Sequence, residues 1–111
     1  MTKEVSIEQY LKSEIERYEG LCIKLVPFSL KGIPDRLIVL RGPVVVFVEV
    51  KKPKGGRISP HQHWWKRRIE RLGCLHRFVH TRDDVDALTK ETTHEQRQQT
   101  HAARHEQRAD N

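Results

Sequence analysis

Apolar residues fall along this chain in two rhythms. Ile7, Leu11, Ile15 and Tyr18 recur at three- and four-residue spacing with Glu and Lys between them, which predicts a helix that Gly20 ends. LCIKLV, residues 21 to 26, alternates instead and is rich in β-formers, so it predicts a strand that stops before Pro27. RLIVL and VVVFVEVK predict two more strands, joined only across Arg41, Gly42 and Pro43. A connection that short demands an antiparallel hairpin. VVVFV is apolar on both faces, the pattern of a central, covered strand.

KPKGGRI, residues 52 to 58, has the Gly, Pro and Lys content of a mobile loop. A second helix starts immediately afterwards. Ser59 can cap it, Pro60 suits its first turn, Gln62 completes an S-x-x-Q capping box, and Gly73 lies just past its last turn. LHRFV predicts a further strand and DDVDAL a short closing helix. The predicted order is α-β-β-β-α-β-α, an α/β chain whose economical packing is one mixed central β-sheet flanked by helices. From Lys90 the sequence has no large aliphatic or aromatic residue, and HEQR recurs at 94 to 97 and 105 to 108. The expected organisation is therefore one folded domain over 1–89 and a polar, disordered tail over 90–111.

Composition narrows the partners. With 111 residues and 36% apolar content, a second core is not expected. Lys and Arg number 21 against 15 acids, giving a net charge of +6, which favours a polyanionic partner. The asymmetry is local: residues 51 to 82 carry ten Lys or Arg and one acid, Glu70, whereas residues 1 to 20 carry five acids and three bases. No apolar run reaches the roughly 18 residues of a membrane helix and MTKEVSIEQ lacks a signal-peptide core, so a cytoplasmic protein is expected. Cys22 and Cys74 have no CxxC spacing and read as buried reduced thiols. His61 and His63 diverge by about 200° on a helix and cannot share a zinc ion; with His76 and His80 they read as surface or DNA-facing groups.

The charged residues beside the apolar strands carry the chemistry. Glu49 and Lys51, two apart, share one face of the third strand. If the hairpin turns at Gly42, Asp35 lies opposite Glu49. Two carboxylates at that distance repel unless they share a cation, and hard oxygen donors suit Mg²⁺ or Mn²⁺. An ion held there polarises a phosphodiester oxygen and acidifies a bound water, while Lys51 orients that water or balances the pentavalent charge. Metal-assisted phosphodiester hydrolysis is the expected reaction. Taken singly, each residue has an ordinary alternative: Asp after Pro forms turns, and E-x-K on a strand makes surface ion pairs.

G-x-P-D at Gly32 to Asp35, V-E-V-K at Val48 to Lys51 and S-P-x-Q at Ser59 to Gln62 resemble the PD-(D/E)xK nuclease superfamily, specifically its virus-type replication-repair nuclease (VRR-NUC) branch. The resemblance spans residues 4 to about 88 and implies a restriction-endonuclease-like core. It further implies that Asp35 and Glu49 ligate the metal, that the Val50 carbonyl assists, that Lys51 is the catalytic lysine, and that Gln62 sits near the site. Spacing alone leaves Gln62 open between catalytic and capping roles. The family also uses a glutamate of the first helix; Glu8, which directly precedes the Tyr10 and Leu11 face, is preferred to Glu4, and Glu14 reads as solvated.

Lys52, Lys54 and Arg57 in the loop and Lys66, Arg67 and Arg68 on the second helix are candidate phosphate contacts. Trp64 and Trp65 are adjacent, so one of them is free to stack on a base or to pack at a dimer contact. The expected protein is a Mg²⁺- or Mn²⁺-dependent DNA endonuclease. By resemblance it acts as a homodimer that resolves Holliday junctions or other branched DNA, in the cytoplasm of a bacterium or phage-infected cell. A DNA-binding module that does not cleave, and a restriction- or exonuclease-type enzyme on linear DNA, are the alternatives.

Overall fold

The structure is a computed structural model that describes residues 6–26, 30–52 and 56–93. Glu4, Lys54 and residues 94–111 of the tail lie outside the described residues. Helix α1 (Ile7–Arg17), strands β1 (Leu21–Lys24), β2 (Arg36–Leu40) and β3 (Val44–Val50), helix α2 (Pro60–Arg71) and strand β4 (Leu75–Val79) follow in order, and helix α3 occupies 82–93. The element order is the one the apolar rhythms predict. No helix among the described residues is long and apolar enough to cross a membrane.

One mixed sheet runs β1-β2-β3-β4, antiparallel up to β3 and parallel between β3 and β4. The β2–β3 link is a tight hairpin, whereas a parallel neighbour needs a crossover, which α2 supplies. Pairing of Arg36 with Val48 and of Leu40 with Val44 fixes the hairpin register. The next step outward sets Asp35 against Glu49.

Strand alternation divides the sheet into two faces. Ile38, Leu40, Val44, Val46, Val48 and Val79 bury one face against Leu11 and Ile15 of α1 and Val85 and Leu88 of α3. The opposite face, with Phe47, Glu49, His76 and Phe78, carries α2, which buries Ile69. Ser6 caps α1 by accepting from the Gln9 N–H. Tyr10 of α1 donates to Asp86 of α3 at 2.6 Å and joins the two helices.

Three expectations need correction. Helix α3 extends past the boundary at Lys90: Thr92 is fully buried, its hydroxyl bonds back to the Leu88 carbonyl at 2.8 Å, and Glu91 pairs with Arg77. A threonine completes the apolar stripe of Val85 and Leu88, which a search for large aliphatics overlooks. His76 is not at the surface. It is buried at 1% exposure with its ring against Phe78, and burial drives its pKa down to about 4, so it stays neutral. Cys22 and Cys74 are free thiols but only half-buried.

Ile38 sits at the centre of the α1-facing side. Ile38→Ala should cost about 2–5 kcal/mol in urea unfolding; a loss below about 1 kcal/mol would show that this face is not the core.

Candidate active site

The hairpin register carries two acids to one corner of the sheet. Asp35 is held there by its backbone and its side chain: its carbonyl accepts from the Leu25 N–H at 2.8 Å, and its Oδ2 accepts from the Val50 N–H at 2.9 Å. Glu49, one residue earlier on β3, is 5% exposed and faces α2. Lys51, half-buried, follows on the same face and is anchored by its own N–H on the Val79 carbonyl at 2.8 Å.

Gln62 joins this corner to α2 and does two jobs at once. Its Oε1 accepts from the Ser59 N–H at 2.9 Å while Ser59 Oγ accepts from the Gln62 N–H at 3.1 Å, which closes the capping box. A backbone donor therefore sets the way the amide points, and its Nε2 is left to donate to Glu49 Oε1 at 2.9 Å. The capping role that spacing allowed is present, and the same side chain also reaches Glu49.

Two further contacts set the approach of the loop before Asp35, and the sequence reading missed both. Gly32 has φ +82°, and a Cβ there would meet His61 Cβ at 2.6 Å and the Gln62 nitrogen at 2.9 Å. Only glycine lets this loop close on the start of α2. Trp65 Nε1 donates to the Lys31 carbonyl at 2.9 Å and pins the same loop. The one available signal was the glycine of G-x-P-D, whose cause is a tertiary approach rather than a local turn.

Charge in this corner is unbalanced. Burial, and next the negative charge of Asp35, push Glu49 up to about 7 against the opposing pull of Lys51 and the Gln62 hydrogen bond. Glu49 Oε2 is buried without a hydrogen-bond partner among the described residues. An orphaned carboxylate oxygen beside a second carboxylate fits a hard divalent cation, which needs one or two carboxylates and completes its shell with water and phosphate. No cluster of three or more His, Cys, Asp and Glu side chains forms among the described residues, so a zinc-type or all-protein cage is not what the donors resemble.

Other predicted residues are placed differently. Glu8 is not brought to the two acids: its Oε1 takes Arg36 Nε at 2.8 Å, and alternation puts Arg36 on the α1 side of the sheet. Glu8 is preferred on the sequence because it directly precedes the Tyr10 and Leu11 face, but that face packs on the side of the sheet away from Glu49. Lys66 is drawn inward, donating to the His76 carbonyl at 3.0 Å, pairing with Glu70 at 3.1 Å and lying over the Phe78 ring. It is not free for phosphate. Lys52, Arg57, Arg67 and Arg68 are exposed.

No family model matches the chain. A protein of Acyrthosiphon pisum secondary endosymbiont phage 1 named "putative nuclease p44" is 37% identical over 73 residues, which span 66% of this chain and 77% of that protein. A solved structure described as a VRR-NUC domain superposes with a TM-score of 0.69 at 34% identity, over 75% of this chain and 89% of that one. Another, a VRR-NUC domain protein, gives 0.58 at 14% identity over 81% and 89%, a likeness of fold alone.

Without a cation, folded Glu49 retains a proton up to about pH 7 that the unfolded chain releases near 4.5. Stability from this group is thus full at low pH and is lost as pH rises through that window. In EDTA, the melting temperature of Glu49→Gln minus that of the wild type should climb between pH 5 and pH 8. A difference that stays flat would mean that Glu49 is not desolvated.

Proposed function

This chain belongs to the VRR-NUC family and is a nuclease, and we propose that it cuts DNA phosphodiester bonds at the Asp35–Glu49 corner with Mg²⁺ or Mn²⁺. The observation that carries the proposal is the unpartnered Glu49 Oε2, dry and beside Asp35. Asp35 and Glu49 are the proposed carboxylate ligands, and the Val50 carbonyl is the main-chain donor next to them. A divalent ion in that position would supply Lewis acidity toward the phosphate and lower the pKa of a bound water.

The chain's own groups do the positioning. Gln62 fixes the Glu49 carboxylate by one oxygen, which leaves the buried Oε2 without a partner among the described residues. The Val50 N–H does the same for Asp35 Oδ2. Lys51, on the Glu49 face, orients the attacking water and opposes the charge that builds on the phosphate. Glu8 is left out of this set because Arg36 already engages it. The phosphate backbone rests on Lys52, Arg57, Arg67 and Arg68, exposed bases that supply affinity without reading sequence.

The substrate class we propose is branched DNA, cut by a homodimer that sets one such centre on each of two strands. Four-way junctions should be cleaved at least about tenfold faster than linear duplex of the same sequence, and equal rates would remove branch selectivity. Asp35→Ala, Glu49→Ala and Lys51→Ala should each lower Mn²⁺-dependent cleavage by on the order of 100-fold or more. DNA binding in EDTA should persist in all three. Turnover that survives any of these substitutions would contradict the assignment, and a wild type that binds DNA but never cuts it would be a binding module.

A further inference from the structure

Trp64, Arg67, Arg68 and Arg71 recur at i, i+3, i+4 and i+7 on α2 and form a single stripe on its solvent side. They differ from the bases of this protein that form ion pairs. Arg17, Arg36, Arg41, Lys66 and Arg77 each pair with a glutamate. Arg67, Arg68 and Arg71 have no carboxylate partner among the described residues, and the neighbouring acid, Glu70, is taken by Lys66. Like charges three and four residues apart weaken a helix, so this stripe works against α2 unless an anion lies on it.

Trp64 adds a second, independent feature. Its neighbour Trp65 is half-buried and spends its N–H on the loop before Asp35. Trp64 has no such task. It is 51% exposed, packs edge-on against Trp65 with the rings at 88°, and lines with the three arginines a shallow hollow of about 80 Å³. Arginines alone would suit any phosphate backbone. An open indole among them suits a base whose face is free, and in a duplex every base face is already stacked.

We propose that this stripe binds unpaired nucleotides of a DNA strand, one base stacked on Trp64 and the flanking phosphates on Arg67, Arg68 and Arg71. The stripe begins two residues beyond Gln62, and Arg71 lies about 13 Å further along the axis than Gln62 at the rise of an α-helix. At about 100° per residue the stripe lies across α2 from Gln62, so a strand held there runs over the outer face of the helix as it leaves the Asp35–Glu49 corner. The inference deepens the nuclease reading, on which its place beside the cut rests, and it selects DNA with single-stranded character at the branch.

The test is anisotropy titration in EDTA of a labelled oligo-dT 20-mer and of a 20-base-pair duplex, with Mn²⁺-dependent cleavage of a four-way junction measured separately. Trp64→Leu should weaken oligo-dT binding by about tenfold and duplex binding by under twofold, whereas Trp64→Phe should retain most of the wild-type affinity. Arg68→Gln with Arg71→Gln should weaken both ligands and flatten the salt dependence. Unchanged circular dichroism of Trp64→Leu excludes misfolding as the cause. Equal affinity of Trp64→Leu and wild type for oligo-dT, or equal losses on oligo-dT and duplex, would overturn the proposal. Absence of junction cleavage by a wild type that still shows the Trp64 effect would defeat the nuclease reading alone.

Discussion

A buried carboxyl group pressed against a second, half-buried one sets the terms for the rest of this structure. Asp35 and Glu49 meet because a three-residue link between β2 and β3 allows one register, and that register has no room for slippage while Ile38, Val46 and Val48 must face the core. The cost appears at once in Glu49, whose affinity for a proton rises to about pH 7, and in an oxygen that finds no donor. A fold selected for stability alone would not keep this arrangement. It is intelligible as a receptor for positive charge.

Rigidity around that corner comes from α2. The capping box that starts the helix also sets the direction of the Gln62 amide, so the same hydrogen bonds that nucleate secondary structure aim a donor at Glu49. Gly32 and Trp65 then bring the loop that carries Asp35 against the beginning of the helix. Three segments distant in sequence are tied by the Gln62 amide, the Trp65 indole and the close approach that Gly32 permits. Such support keeps the carboxylates in place before any ligand arrives.

Much of this was legible because it follows from short-range rules. The length of the hairpin link and the parity of strand positions are enough to place Asp35 against Glu49, and S-P-x-Q is enough to start α2 at Pro60. What escaped depends on which faces pack. Periodicity puts Glu8 beside an apolar stripe but cannot say that the stripe lies on the side of the sheet away from Glu49, where Arg36 meets it. Lys66 looked like any other basic residue of α2 until the His76 carbonyl and Glu70 drew it in. His76 itself is buried by its neighbours on β4 and α2, and Thr92 does in α3 what a valine would have done visibly.

The central claim concerns a cation, so the most direct measurement looks for one. Crystals soaked in Mn²⁺ and measured for anomalous scattering should show one strong peak per chain between Asp35 and Glu49 Oε2, with the Gln62 bond to Oε1 intact. A map with no peak at that corner, or with manganese bound only elsewhere on the chain, would contradict it.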